Sequence, residues 1–188
     1  MAWFIVPLSY LIGSIPTAYI AGRWLRGKDI RRVGDLNVGA QNAFRHLGAK
    51  IGVLVGLFDA AKGAIPVLLA RAIGVSQAAV FLAGAAAVLG HNWPLFLAFR
   101  GGRGEATTIG VIYVLMTLPS LIVTGPGIIA LVITRNVILA SVVVFVPLPF
   151  VAWWLGIPGA IIAYSLALLG LVAFTHIIRT RRLIRRQV

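Results

Sequence analysis

Long apolar runs, broken by short polar or basic stretches, set the pattern of this chain. Residues 3–22 are apolar, with Gly13, Ser14 and Pro16 inside. A run of that length spans a bilayer, and the Pro predicts a kink whose freed carbonyl a neighbouring helix can satisfy. Further spans are expected at 51–72 and 78–99. The apolar stretch 106–134 is too long for one crossing of about 20 residues. It reads as two short spans, 106–118 and 121–134, with the turn at Pro119. Residues 137–155 form a sixth span, broken by Pro147 and Pro149, with Trp153 and Trp154 as interfacial aromatics at its outer end. Residues 159–176 form a seventh. Gly52 and Gly56, four apart, predict a close-packing face.

Composition sharpens this to a class. The chain has 188 residues, 60% hydrophobic and 11% charged, with mean hydropathy +1.00. The expected fold is an all-α integral membrane protein, one domain over residues 1–188. The first run lacks a basic start, so it is read as a retained span and not a leader. Seventeen Lys and Arg stand against four acids. The basic residues cluster at 23–50, 100–103, 135 and 179–186. With seven transmembrane helices, the N-terminus outside and the C-terminus cytoplasmic, all four clusters fall inside and Arg71 alone outside. That sidedness rejects a six-span count. The basic residues lie between spans, which argues for a lipid surface and against nucleic acid. Absence of Cys excludes disulfides and thiolate chemistry, and the dispersed His and acids give no metal site.

Polar chemistry gathers in two stretches. The first is Gly90 to Thr108, GHNWPLFLAFRGGRGEATT. Gly101, Gly102 and Gly104 allow a tight turn with exposed N–H groups. Arg100 and Arg103 add forked donors suited to phosphate, and the following helix points its positive end at the same place. The stretch predicts an anion cradle. The second is GDLNVGAQNAFR, residues 34–45. Its amides (Asn37, Gln41, Asn42) can donate to phosphate or hydroxyl oxygens, and Arg45 can grip an oxyanion. A Gly/Asn turn capping a helix fits the same residues. Asp59 and Lys62 share a helix face inside a span, an expected ion pair near the interface. By position alone His91 is a helix-end hydrogen-bonder and His176 an interfacial anchor. Arg181, Arg185 and Arg186 read as lipid-surface contacts.

Taken together these motifs resemble a known family. The order GxxNxGAxNxxR, then Asp59, Lys62, Gly63 and Pro66 in DxxKGxxP, then GHxxPxFxxF followed by the Gly/Arg turn, then a terminal His before Arg-Leu, is similar to the bacterial membrane-bound acyl-phosphate:glycerol-3-phosphate acyltransferases. Tyr10-Leu11 and Gly13-Ser14 extend the likeness into the first span. The resemblance implies seven spans whose motifs meet at the cytoplasmic face of the cell membrane, without metal or other cofactor. It implies transfer of a fatty acyl group from acyl phosphate to the 1-hydroxyl of glycerol 3-phosphate, giving lysophosphatidic acid for phospholipid synthesis. It places Asp35, Asn37, His91 and His176 at catalytic positions. Gly39, Asn42, Arg45, Arg100, Gly101, Gly102, Arg103, Gly104, Thr107 and Arg179 stand at substrate- and phosphate-binding ones. The expected partners are the two substrates and membrane lipid, and the expected state is a monomer.

The departures from the family pattern fall at the site. Asp35 stands where the family has Ser, Gln41 where it has Thr, and arginines where the loop has lysines. Glu105 replaces Val, and Arg179 replaces Asn. An acid beside a phosphate site repels the ligand unless paired, and Arg179 is the expected partner of Asp35 or Glu105. Asp35 and Glu105 also keep two alternatives in view: a related acyltransferase with a hydroxylated or amino acceptor, and a non-catalytic paralogue that binds lipid or a protein partner.

Overall fold

The computed structural model describes residues 2–184, with side chains over residues 3–180. Arg185 and Arg186 lie outside the described residues, as does the side chain of Arg181. Among the described residues ten α-helices run in order: α1 (Ile5–Gly13), α2 (Thr17–Arg26), α3 (Ala40–Leu47), α4 (Ala49–Ala72), α5 (Gln77–Asn92), α6 (Glu105–Leu115), α7 (Thr117–Thr134), α8 (Val137–Phe145), α9 (Leu148–Trp154) and α10 (Gly159–Ile184). Among the described residues, six stretches are long and apolar enough to cross a membrane: α1 with α2, α4, α5 with the turn after it, α7, α8 with α9, and α10.

The breaks have local causes. Pro16 interrupts the first span, and the Lys62 ammonium donates to the Ile15 carbonyl at 2.9 Å, so a neighbouring helix satisfies a carbonyl at the break. The same span ends later than expected, at Arg26. The turn expected at Pro119 lies instead at Met116, whose φ of −137° ends α6. Pro119 then falls in the first turn of α7, where its missing N–H has no intrahelical acceptor to lose. The Thr124–Gly127 stretch does not interrupt α7, which carries Pro126 inside it. With 11 residues, α6 rises about 16 Å, short of a hydrocarbon core of about 30 Å. The last helix also runs past His176 into the basic tail.

Small residues set the packing. A methyl on Gly110 would enter the Ala60 carbonyl, and one on Gly63 would enter that of Thr107. These two contacts dock α6 onto α4. Gly13 meets the backbone of Ala87, and Gly90 meets the Tyr10 carbonyl, which seats α1 against α5. The Gly52 face packs on the backbone of Phe44 in α3, a short surface helix, and not on another span. Beneath the 27–48 segment a separate apolar cluster forms around Ile30, Val38, Ala43, Leu47, Ile51 and Leu97. It pins that polar segment to the ends of α4 and α5.

Gly110→Val should therefore cost about 1–3 kcal/mol, the usual range for overpacking. Gly125→Val, which meets nothing within 4 Å, should cost far less. Thermal melts in detergent compare them, and equal melting temperatures would contradict the docking.

Candidate active site

Two loops and the end of α10 form the site. The first loop starts at Asp29, which caps a turn by accepting from the Arg31 N–H at 3.1 Å. The Arg31 guanidinium returns to the same carboxylate at 3.0 and 2.8 Å, and Arg23 adds a 3.2 Å contact. Hydrogen bonding from Arg31 lowers the Asp29 pKa to about 2, against the opposing effect of burial. Arg31 also lies 4.7 Å over the Tyr19 ring, so its side chain is held from two sides. Gly34 and Leu36 take left-handed φ of 61° and 57°. The turn lets Asp35 accept from the Asn37 N–H at 3.2 Å. Asn42 is buried, and its amide nitrogen reaches three carbonyls, those of Ile30, Val33 and Asn37, at 3.3, 3.0 and 2.9 Å.

The second loop leaves α5 and turns back on it. Gly102 N–H donates to the His91 carbonyl at 3.0 Å, and Thr175 Oγ1 donates to the Arg103 carbonyl at 2.9 Å. Arg179 donates to the carbonyls of Gly101 and Asn92. Side chains have no room on the inner wall: a methyl on Gly101 would enter the His91 carbonyl and Pro94, and one on Gly102 the His91 ring. Gly104, at φ 85°, starts α6 against the Asn92 amide.

Between the loops lies an open cleft of about 600 Å³. Its wall carries Arg31, Arg32, Arg100, Arg103 and Arg179, with Asp29, Asp35, Asn37, Trp93, Phe99 and Thr175. Arg103 pairs with Asp35 at 3.0 Å, both largely buried. The expected partnership of Asp35 with Arg179 is thus replaced by one with Arg103, because the Arg179 fork is turned to main-chain carbonyls. Glu105 instead accepts from Ser141 of α8.

The structure brings Asp35, Asn37, Arg100, Gly101, Arg103 and Arg179 to the cleft wall. His176 lies on α10 next to Thr175, which the wall carries, and is not itself among the wall residues. His91 lies under Gly102 of the turn, Gly104 starts α6, and Thr107 is buried on α6 with its carbonyl against Gly63 of α4. Asn42 ties the first loop, and Gly39 begins α3. Arg45 is exposed on α3 and is not part of the wall. Sequence reasoning missed Arg31 and Arg32 as site residues, because the basic residues of 23–32 were read for sidedness alone. The available signal was Asp29 two residues before Arg31, the spacing of a capped turn.

Fold and site together define a multi-pass helical membrane protein with an arginine-walled cleft at one end of its bundle. Residues 3–186 match the family described as glycerol-3-phosphate acyltransferase, and the chain belongs to that family. Glycerol-3-phosphate acyltransferase 4 of Dehalococcoides mccartyi strain 195 is 50% identical, covering 97% of this chain and 98% of its own. The glycerol-3-phosphate acyltransferase of Endomicrobium trichonymphae is 39% identical over 95% of this chain and 90% of its own. The crystal structure of PlsY (YgiH), an integral membrane glycerol 3-phosphate acyltransferase, in its glycerol 3-phosphate form superposes with a TM-score of 0.85 at 34% identity. It covers 98% of this chain and 92% of that one. The lysophosphatidic acid form gives 0.81 at 32% identity, with the same coverage of both chains.

Removing both members of the Asp35–Arg103 pair should be non-additive by at least about 0.5 kcal/mol, as for residues in contact. A double-mutant cycle of melting free energies with Asp35→Ser and Arg103→Ala measures it. Strict additivity would contradict the pair.

Proposed function

We propose that the chain acylates the 1-hydroxyl of glycerol 3-phosphate, with a fatty acyl phosphate as donor, and releases lysophosphatidic acid and phosphate. One observation carries the reading: five arginines face a single cleft at the end of a membrane bundle. Only two aspartates offset them on that wall, and the Asp35 charge is matched by Arg103. Such a wall attracts phosphate dianions and holds them in orientation.

The chemistry needs little more. Acyl phosphate is a mixed anhydride with a good leaving group. The glycerol hydroxyl oxygen attacks the acyl carbon, the acyl C–O bond to phosphate breaks, and the hydroxyl proton passes to the departing phosphate. No enzyme nucleophile is consumed, so the lack of Cys is no obstacle. Arg103 and Arg100 carry the phosphate contacts and stabilise charge that grows on the leaving group. Asn37, whose side-chain oxygen is buried without a hydrogen-bond partner, orients the acceptor. His176, next to Thr175 of the wall, is assigned to the proton or the phosphate by the family resemblance.

The same gathering of ends supports one orientation. The starts of α6 and α8 meet through Glu105 and Ser141, and α10 reaches the second loop through Thr175. With α6 as a short seventh crossing, the N-terminus lies outside, and the cleft and C-terminus face the cytoplasm, where a phosphorylated acceptor is available. Membrane lipid surrounds the apolar faces.

Purified protein given labelled acyl phosphate should form labelled lysophosphatidic acid only when glycerol 3-phosphate is added. Arg103→Ala should raise the KM for glycerol 3-phosphate more than tenfold, since truncating one partner of a desolvated charge contact costs about 2–5 kcal/mol. Acylation of plain glycerol at an equal rate would overturn the reading.

A further inference from the structure

A buried ionic cluster lies behind the cleft and takes no part in the chemistry above. Asp59 of α4 is 1% exposed, and Lys62 one turn further on is 6% exposed. Their ion pair measures 2.7 Å. The same carboxylate oxygen accepts from Thr17 at the start of α2, while Lys62 also holds the Ile15 carbonyl at 2.9 Å. His91 of α5 is the third member. Its Nδ1 stands 3.6 Å from Asp59 Oδ1, longer than a hydrogen bond and within ion-pair range. Neither His91 Nδ1 nor the other Asp59 oxygen has a hydrogen-bond partner, and both are buried. Among the described residues, Asp59 is the acid within ion-pair range of this imidazole.

The far edge of that ring matters to the site. His91 Nε2 occupies the space that a side chain on Gly102 would need, and the His91 carbonyl accepts the Gly102 N–H. The ring is therefore the floor under the Gly101–Gly102 turn, between Arg100 and Arg103. In a neutral imidazole one nitrogen carries a proton and the other a lone pair, and the neighbours decide which. A proton at Nε2 would aim a second donor at the Gly102 backbone, whose own N–H already points back to the His91 carbonyl. A proton at Nδ1 leaves a lone pair there instead.

We propose that Asp59 is a positioning residue for the phosphate loop: it holds the proton of His91 on Nδ1, so that Nε2 faces the Gly101–Gly102 turn as an acceptor. Lys62 keeps the carboxylate charged and ties the cluster to the broken first span. The role resembles that of a carboxylate that orients a histidine from behind a metal or a nucleophile, transferred here to a loop that binds anions. It rests on the phosphate-binding reading of that loop.

Two readouts test it on the full-length protein in detergent. Nitrogen NMR of isotope-labelled histidine, assigned with His91→Gln, reports which ring nitrogen is protonated. Kinetics report the KM for glycerol 3-phosphate separately from kcat. In the wild type His91 should carry its proton on Nδ1. Asp59→Asn should move it to Nε2 and raise the KM about tenfold or more, and Asp59→Glu should restore the first state and most of the affinity. Should Asp59→Asn fail to fold with Lys62 unpaired, Asp59→Asn with Lys62→Met removes both charges and should show the same proton shift. In a His91→Gln background, Asp59→Asn should change the KM less than twofold further. A proton unmoved by Asp59→Asn, or effects of the two residues that multiply independently, would overturn the proposal. A wild type that shows the expected histidine state but acylates no glycerol 3-phosphate would overturn the functional reading and leave the positioning role standing.

Discussion

Asp59 is the constraint on which the bundle's polar end depends. A carboxylate at 1% exposure inside an apolar bundle persists only when its charge is answered, and Lys62 answers it at 2.7 Å. Breaking such a pair from one side typically costs about 3–5 kcal/mol. The arrangement joins three segments at one point. Thr17 comes from the first span, Lys62 from α4, and His91 from α5. Pro16 breaks the first helix at this level, and the Ile15 carbonyl is taken up by the same lysine. Close Gly contacts then bring α6 against α4 at Gly63 and Gly110. The beginning of α6, with the Gly/Arg turn before it, is fixed relative to the ionic cluster rather than left to a mobile loop.

The cleft shows how a member of this family accommodates charge changes at its site. An acid at 35 would repel a dianion if solvated alone. It is instead paired with Arg103, a residue of the Gly/Arg turn itself. The pair crosses from the first loop to the second and so bridges the two loops while neutralising the acid. Glu105 is dealt with differently, drawn to Ser141 and away from the wall. Arg179, at the end of α10, uses its planar fork on two carbonyls of the second loop, a task that a shorter amide would perform with fewer donors.

The membrane class and most spans were legible because length and apolarity alone decide them. The Gly/Arg turn was legible because Gly101, Gly102 and Gly104 act through local backbone geometry. The break at Met116 was not, since its side chain is no helix breaker and Pro119 offered a stronger but misleading signal. The placement of Arg45 was not legible, because it depends on which face of α3 is buried. Ala43 and Leu47 are buried on α3, and Arg45, two residues from each, falls on the opposite face. Arg31 and Arg32 reach the cleft only because Ile30 is buried in the small apolar cluster under their loop. The Asp29 cap marks a turn there, but the packing that brings the turn to the cleft is a tertiary fact which that local pattern does not carry.

The central claim is that the arginine wall reads a phosphate. Calorimetric titration of the purified protein with glycerol 3-phosphate, and separately with glycerol, tests it without any acyl donor. Glycerol 3-phosphate should bind, should weaken as salt is raised, and should be displaced by inorganic phosphate, while glycerol gives no heat of binding. Equal binding of glycerol and glycerol 3-phosphate, insensitive to salt, would contradict the account.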